Sequence, residues 1–339
     1  MPKAGAAILA VDGGNSKLDA VLLSRGGRVL GAARGGGASF SPGDHEESFA
    51  ELAATVGRAC KAAGIRPGAS PIAEVAVFCL AGADLPVDDR RLLRTMRSLR
   101  WTERLVLRND TFAVLRAGTD RPWGVGVVCG TGLNCSAVSP AGKIVRYAAI
   151  GDISGDGGGG DWLGLQALRA AIRGRDLRAR RTALERDVPA HFGLNSPKQV
   201  MQAIYLGQVD RHRLTELPRV VFRASKGGDA AAQEIVDGLA AEIVAMVVSA
   251  MRRLRMTQTD ADVVLGGGVA RGRDPRLLSH IEEGVRAVAP AARVSVLDEP
   301  PVLGAAYLGL DEIGAQRRAY GQVRDAITHD RLVAPARRR

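Results

Sequence analysis

The sequence has few aromatic residues, no long hydrophobic run and few lysines. Aromatic residues make up 4% of the 339-residue chain, which leaves little surface on which single-stranded nucleic acid could stack. No stretch reaches the roughly 18 to 20 apolar residues that a membrane-spanning helix needs. The nearest candidate, residues 239–251, contains Glu242 and predicts a buried helix. These absences argue against a membrane-spanning protein and against a single-strand-binding protein.

Cysteine is also scarce, and the four cysteines include no C-x-x-C pair, the spacing typical of zinc and redox sites. They are Cys60, Cys79, Cys129 and Cys135. Cys79 and Cys129 lie in apolar runs that predict strands, where buried free thiols are common. The run over residues 6–11 leads straight into a glycine loop, so it predicts a first strand rather than a signal peptide. We therefore expect structural thiols, a cytoplasmic protein and no disulfide framework.

The positive charge of the chain comes almost entirely from arginine. The formal net charge is +11 at pH 7, and only six of the 47 basic residues are lysines. The arginines are spread along the chain and mixed with acids, as in residues 169–187, and the cluster Arg337–Arg339 is a tail. This distribution is more typical of a solvated surface than of a nucleic-acid interface. It leaves open a contribution to the attraction of an anionic substrate.

The order of apolar runs predicts an internal duplication. A chain of this length predicts two domains of about 150 residues each. Three short strands separated by glycine are followed by alternating strands and helices, and the same order then begins again. The predicted strand triplets are 6–11, 18–23 and 28–33 in the first copy, and 123–129, 134–139 and 143–148 in the second. A long helical segment, residues 162–256, is inserted in the second copy, so we predict a duplicated α/β architecture.

Three glycine loops, each after a predicted buried strand, indicate phosphate binding. They are Asp12-Gly13-Gly14-Asn15-Ser16-Lys17, Gly130-Thr131-Gly132-Leu133-Asn134 and Leu265-Gly266-Gly267-Gly268. Glycine allows backbone N–H groups to approach phosphate oxygens, and the hydroxyls of Ser16 and Thr131 add donors. A Walker-type loop, G-x-x-x-x-G-K-[ST], does not occur in the sequence. Three such loops in this order, with Asn109-Asp110 between the first two, predict a phosphoryl-transfer enzyme.

Two aspartates are candidates for the chemistry. Asp110 follows the predicted strand 105–107, at the edge where α/β proteins bind ligands. Phosphoryl transfer to an alcohol needs a group that orients the hydroxyl and accepts its proton, so we predict that Asp110 is the catalytic base. The alternative is a helix cap, since Asp110 precedes Thr111. Asp12 suits Mg²⁺, usually bound through water, unless it only starts a tight turn.

These motifs resemble the actin/hexokinase/Hsp70-type ATPase superfamily, specifically the N-acetylglucosamine kinase and BadF/BadG/BcrA/BcrD ATPase group. The resemblance runs from Val11 to about Leu310 and is closest from Asn109-Asp110 through residues 130–135. Residues 155–164 are similar to the family's G-D-E-G-S-G-Y-W-I-G, and residues 300–306 to its closing helix.

The resemblance implies an α/β protein with a duplicated actin-like (ribonuclease H-like) ATPase fold, in which two domains surround a nucleotide cleft. It implies an N-terminal domain over residues 1–118 that carries the acceptor side and the catalytic Asp. A C-terminal domain over residues 119–315 would carry the nucleotide side and a helical insertion. Residues 316–339 would form a C-terminal helix and a basic tail.

The resemblance also implies the site residues. Those expected to bind nucleotide are Gly13, Gly14, Asn15, Ser16, Lys17, Gly130, Thr131, Gly132, Asn134, Gly266, Gly267 and Gly268, with Asp12 as the metal residue. Those expected to bind the acceptor are Ser39, Gly82, Asp84, Asn109, Asp110 and Asp156. The acceptor loop departs from the family, because Phe40 and Pro42 stand where an Asn and often a Trp occur. The family's S-G-G-D is Ala81-Gly82-Ala83-Asp84 here, and lost polar contacts change specificity strongly.

The expected function is that of an ATP- and Mg²⁺-dependent sugar kinase. It would phosphorylate a hydroxyl, with the 6-hydroxyl as the expected position, of N-acetylglucosamine or a related amino sugar, and would be a homodimer. One alternative is a BadF-type ATPase coupled to a protein partner, which the cysteine pattern disfavours. Another is a non-catalytic sensor or scaffold, which the intact Asp12, Asp110 and Thr131 disfavour.

Overall fold

The computed structural model describes residues 6–43, 45–66 and 71–332, and within them ten strands form two five-stranded sheets. The strands of the first sheet are β1 (Ala6–Gly13), β2 (Leu18–Leu23), β3 (Val29–Gly35), β4 (Ala73–Leu80) and β5 (Arg104–Arg108). Those of the second sheet are β6 (Gly124–Cys129), β7 (Leu133–Val138), β8 (Ile144–Arg146), β9 (Asp262–Gly266) and β10 (Arg293–Val296). The predicted basic cluster at residues 337–339 lies outside the described residues.

The two sheets have the same topology. The strand order is β3-β2-β1-β4-β5 in the first sheet and, in the same sense, β8-β7-β6-β9-β10 in the second. In each sheet the first three strands are antiparallel neighbours, and the last two run parallel to the first strand. This shared order confirms the predicted duplicated α/β fold.

Thirteen α-helices within the described residues surround the sheets. Up to the second sheet they are α1 (His45–Ala62), α2 (Pro86–Ser98) and α3 (Asp110–Gly118). The insertion contributes α4 (Gly159–Arg175), α5 (Leu184–His191), α6 (Pro197–Tyr205), α7 (Pro218–Lys226) and α8 (Ala230–Arg253). The remaining helices are α9 (Gly268–Arg271), α10 (Pro275–Arg286), α11 (Val302–Glu312), α12 (Arg317–Ala326) and α13 (His329–Leu332). None of the described helices is long and apolar enough to cross a membrane.

Helices α3 and α11 lie between the two sheets and pack against each other. Helix α3 packs mainly on β6 and β9, and α11 packs mainly on β1 and β4, so each sheet is covered by a helix from the other half of the chain. The crossing is close at Gly304, where a Cβ atom would lie 1.9 Å from the carbonyl oxygen of Ala113. A side chain there would push the helices apart, so the glycine keeps the start of α3, which carries Asp110, fixed relative to both sheets.

Buried side chains form three clusters that follow these layers. One lies between the first sheet and α1 and α2, one lies between the two sheets, and the largest joins the second sheet to the helical insertion. All four cysteines are buried with free thiols, which places them in the packed interior. The outer face of each sheet is thus covered, and the open region is the edge where the parallel strands end.

Candidate active site

A cleft opens at the carboxyl ends of the parallel strands of both sheets. The residue that immediately follows each of these six strands lines it, as is typical of α/β proteins, which bind ligands at this edge. These residues are Gly14, Ala81, Asn109, Gly130, Gly267 and Leu297. The duplicated fold therefore brings together sequence motifs that lie more than a hundred residues apart.

The first and second glycine loops face the cleft with unpaired backbone donors. The backbone N–H groups of Asn15, Ser16, Thr131 and Gly132 donate to no residue in the described parts of the chain. The second loop is held by the start of α4, because the N–H of Asp161 donates to the carbonyl of Thr131 over 3.0 Å. Successive unpaired N–H groups form concave sites that bind anions.

The third glycine loop lies against the second. Gly267 has a φ of +94°, and a Cβ atom on it would lie 2.3 Å from the carbonyl oxygen of Cys129. A Cβ atom on Gly268, by contrast, would meet nothing within 4 Å, so this glycine is open to the cleft. The second and third predicted phosphate loops are therefore packed against each other.

Asn109, rather than Asp110, caps helix α3. Its Oδ1 accepts hydrogen bonds from the Thr111 backbone N–H over 3.0 Å and from the Thr111 hydroxyl over 2.6 Å. Its Nδ2 donates to Asp84 Oδ1 over 2.8 Å, and Asn134 Nδ2 donates to the same oxygen over 3.0 Å. The N-cap residue of α3 is therefore Asn109, while Asp110 is the first residue of the helix and lines the cleft.

Three carboxyl groups share the cleft without an ion-pair partner among the described residues: Asp12, Asp84 and Asp110. Burial, with the neighbouring charges of Asp12 and Asp84, raises the pKa of Asp110 to about 8. Burial raises the pKa of Asp12 to about 7, and burial with the nearby Asp88 raises that of Asp84 to about 7. A site of this kind favours bound cations and holds a group that can accept a proton near neutral pH.

The raised pKa of Asp110 predicts how stability depends on pH. The folded protein keeps a proton that the unfolded chain releases near its usual pKa of 3.8, so the free energy of unfolding should fall between that pH and about 8. In metal-free buffer, Asp110→Asn should melt above wild type at pH 8.5, by roughly 2–4 °C for each kcal/mol of stabilisation. The difference in melting temperature between the two proteins should be smaller at pH 4.5. Scanning calorimetry at the two pH values would measure it. An equal gap at both values would contradict the raised pKa.

Three predicted site residues do not line the cleft, and their contacts explain why. Gly13 lies beneath the first loop, where a Cβ atom would be 2.8 Å from Leu80 Cδ2. Ser39 offers its carbonyl oxygen to the Ser48 hydroxyl over 2.5 Å, and Ser41 lines the cleft instead. Asp156 lies outside the lining, where its carboxylate accepts a hydrogen bond from Ser154. The other predicted site residues all line the cleft.

The cleft also contains residues that the sequence analysis missed. Arg271, Glu299 and Pro301 line it, and Val114 and Leu297 supply apolar surface. Arg271 stands one helical turn after the third glycine loop, and that spacing was the available signal for it. Pro301 belongs to the closing-helix motif, but nothing in the sequence indicated that the residues before that helix reach the cleft.

A second cavity continues from the cleft toward the helical insertion. It shares Ser16, Gly130, Thr131, Gly268 and Arg271 with the cleft. Its far wall is formed by α5, α7 and the short 3₁₀ helix Arg211–Glu216. The predicted phosphate-binding loops therefore lie at the junction, and the second cavity leaves space for a larger group beyond it.

The cleft fits a magnesium ion held by few protein ligands. In the described parts of the chain, no group of three or more His, Cys, Asp or Glu side chains could hold a metal ion. Asp12 is 6% exposed, lines the cleft and has no ion-pair partner in those parts. Mg²⁺ usually keeps several waters and binds through one or two carboxylates plus substrate phosphates, so a single buried carboxylate beside two anion-binding loops suits it.

Comparison with known proteins places the chain in a family. A sequence model of the BadF/BadG/BcrA/BcrD ATPase family matches residues 9–314, so the chain belongs to this family, which confirms the resemblance. The chain is 27% identical over 264 residues to the N-acetylmuramic acid/N-acetylglucosamine kinase of Clostridium acetobutylicum, covering 77% of this chain and 85% of that relative.

Two solved structures share the fold. One is a candidate N-acetylglucosamine kinase of Chromobacterium violaceum, with a TM-score of 0.72 at 24% identity over 90% of this chain and 99% of that one. The other is the ROK hexokinase of Thermus thermophilus, with a TM-score of 0.52 at 22% identity over 90% and 99% of the two chains. They agree with the predicted actin-like arrangement of two sheets around a cleft.

Proposed function

Because the chain belongs to the BadF/BadG/BcrA/BcrD ATPase family, we propose that it is an ATP-dependent sugar kinase. The acceptor would be N-acetylglucosamine or a related amino sugar, phosphorylated at the 6-hydroxyl. The observation that carries this proposal is Asp110, which lines the cleft without a cation partner among the described residues, close to loops with unpaired N–H donors. The activity of the Clostridium relative supports the choice of acceptor.

The two loops bind the donor phosphates in this mechanism. The unpaired N–H groups of Asn15 and Ser16 and of Thr131 and Gly132 donate to phosphate oxygens from opposite sides of the cleft. Asp12 would hold Mg²⁺, and the ion would supply positive charge that offsets the charge of the phosphates. Backbone N–H groups that packing holds in place need no rearrangement when the nucleotide binds.

Asp110 orients the acceptor hydroxyl and takes its proton. Burial raises the pKa of Asp110 to about 8, and a cation held nearby would favour the ionised form that accepts the proton. Asp84 Oδ1 accepts from both Asn109 and Asn134, which leaves Oδ2 to accept a hydrogen bond from a sugar hydroxyl. The two amides thereby fix the orientation of Asp84 from both halves of the fold.

The test is an ADP-release assay with Mg²⁺-ATP and a panel of sugars: N-acetylglucosamine, N-acetylmuramic acid, glucosamine, N-acetylmannosamine and glucose. We expect strong release with an N-acetylated amino sugar and little without sugar or with excess EDTA. Phosphorus NMR of the product would identify the phosphorylated hydroxyl. ADP release that no sugar stimulates would reject the proposal and favour an ATPase coupled to a protein partner.

Homodimer formation and cytoplasmic localisation stay predictions. The partner-coupled ATPase receives no support from the cysteines, because all four are buried and none is available at the surface to hold a cluster shared between subunits. The positive net charge has no assigned partner beyond an anionic substrate.

A further inference from the structure

We infer that Arg271 binds the donor phosphates and that Lys17, the cation of the first glycine loop, does not. The inference rests on the proposed function, since it concerns the nucleotide of the same cleft. It assigns a role to a residue outside every motif that the sequence analysis used.

Lys17 forms an ion pair with a buried carboxylate. Its Nζ lies 3.1 Å from Asp19 Oδ2, and Asp19 has no exposed surface. Arg34 completes the arrangement, with Nε 2.6 Å from Asp19 Oδ1. Asp19 pairs with Asp12 across β1 and β2, so two carboxylates lie side by side at this point of the sheet. Moving Lys17 toward a phosphate would leave the buried Asp19 with one cation fewer, which is strongly unfavourable.

Arg271 forms no such ion pair within the described residues. It is the last residue of α9, the short helix that begins at the third glycine loop, and its side chain makes no hydrogen bond or ion pair within residues 6–43, 45–66 and 71–332. Arg271 lines the same cleft as Asp12. An exposed guanidinium near the metal carboxylate, without a partner of its own in those ranges, is available to a ligand.

The position of Arg271 fits the path of a nucleotide. It lines both the cleft and the second cavity, and so do Ser16 and Thr131 from the two phosphate loops. A donor whose terminal phosphate faces Asp110 and whose remainder enters the second cavity must pass this junction with its phosphates. Guanidinium binds phosphate with two parallel hydrogen bonds, which gives both charge and orientation.

The charge of the cleft favours such a cation. Asp12, Asp84 and Asp110 all face the space that the phosphates would enter. One Mg²⁺ would offset only part of the combined negative charge, and Lys17 and Arg34 are occupied by Asp19. Arg219 and Arg223 line the second cavity but not the cleft. Arg271 lines both and is therefore the cation of this junction that can approach the donor.

The chain offers a matched control two residues away. Arg273 lies in the same exposed segment, but its Nη2 is 2.6 Å from Asp298 Oδ1, and it lines neither cavity. Arg273→Ala thus removes an arginine from the same surface without changing the junction.

The experiment is calorimetric binding of adenosine, AMP, ADP and ATP with Mg²⁺, without sugar, to wild type, Arg271→Ala, Arg271→Lys and Arg273→Ala. Arg271→Ala should weaken ADP and ATP binding by roughly tenfold to a hundredfold and leave adenosine unchanged. Arg271→Lys should recover part of the loss, because lysine keeps the charge but not the paired hydrogen bonds. Arg273→Ala should match wild type. Wild-type affinity of Arg271→Ala for ADP and ATP, or an equal loss for adenosine, would overturn the inference.

Thermal melting distinguishes the role of Lys17 from that of Arg271. Lys17→Ala should lower the melting temperature, because the buried Asp19 would lose one of its two cations, whereas Arg271→Ala should leave it unchanged. The reverse pattern, with ATP binding lost only in a stable Lys17→Ala variant, would return the role to Lys17. A wild-type protein that phosphorylates sugar while Arg271→Ala binds ATP normally would defeat this inference alone. A wild-type protein that binds no nucleotide would defeat the proposed function and the inference with it.

Discussion

Replacing Asp110 with asparagine should lower the rate of sugar phosphorylation by about a hundredfold to ten-thousandfold, the range that general-base catalysis contributes. Asparagine has nearly the same shape and can still accept a hydrogen bond, but it cannot take the proton of the hydroxyl. The loss should appear in kcat, because proton acceptance is needed in the transition state more than in the bound complex. Initial rates of ADP release at saturating sugar and ATP would measure it.

The substitution should leave the fold and the nucleotide surface intact. The hydrogen bonds that cap α3 belong to Asn109, so Asp110→Asn removes no cap. Asp120→Asn is a suitable control, since Asp120 lies beyond the other end of α3, with its side chain 88% exposed. It should keep the wild-type rate. If Asp110→Asn also kept that rate, Asp110 would not be the base and the proposed mechanism would be wrong.

The sequence was sufficient to predict the architecture because buried strands and glycine loops are local signals. The predicted strand 18–23 has the bounds of β2, since a buried run that is apolar except for Asp19 stops where polar residues and glycine begin. The third strand of the second copy is shorter than predicted, at Ile144–Arg146. There Tyr147 leaves the sheet, and its hydroxyl donates to the carbonyl of Met246 on α8 over 3.1 Å, a contact that no local pattern encodes.

The acceptor side was harder to predict because its residues take roles that only packing decides. Phe40 stands where the family has polar or aromatic sugar contacts, yet it is fully buried and packs edge-on against Phe49 at 5.5 Å. Phe40 therefore does not line the cleft, and Ser41 and Asp84 do. The prediction for Asp156 depends on the similarity of a glycine-rich run to a family motif. Glycine permits many backbone conformations, so the sequence of such a run does not determine where its carboxylate lies.

The adjacent residues Asn109 and Asp110 show the same limit of prediction from sequence. Either residue type can cap a helix, and both precede the apolar part of α3. The choice depends on Asp84 and Asn134, which hold the Asn109 amide and its partner from other segments of the chain. Contacts of this kind join distant segments of the chain, so they can be identified only from the folded structure. The same holds for the position of Arg271 in the cleft.

The neighbouring glycines Gly267 and Gly268 offer a test of how the phosphate loops are built. Gly267→Ala should lower the melting temperature and weaken nucleotide binding by tenfold or more. Its φ of +94° is rarely adopted by alanine, and the new Cβ would lie 2.3 Å from the Cys129 carbonyl oxygen and 2.4 Å from its carbon. Strain and crowding together should cost about 2–6 kcal/mol, because each alone costs roughly 1–3 kcal/mol.

Gly268→Ala should leave the melting temperature unchanged, because a Cβ atom there meets nothing within 4 Å. The pair therefore separates two roles of glycine in one loop. Gly267 allows the second and third loops to touch, and Gly268 leaves room for a ligand to approach the backbone. If Gly268→Ala weakens nucleotide binding without a change in melting temperature, the donor passes over Gly268. If both variants melt like wild type, the second and third loops do not pack as described, and Gly267 does not hold the second phosphate loop in place.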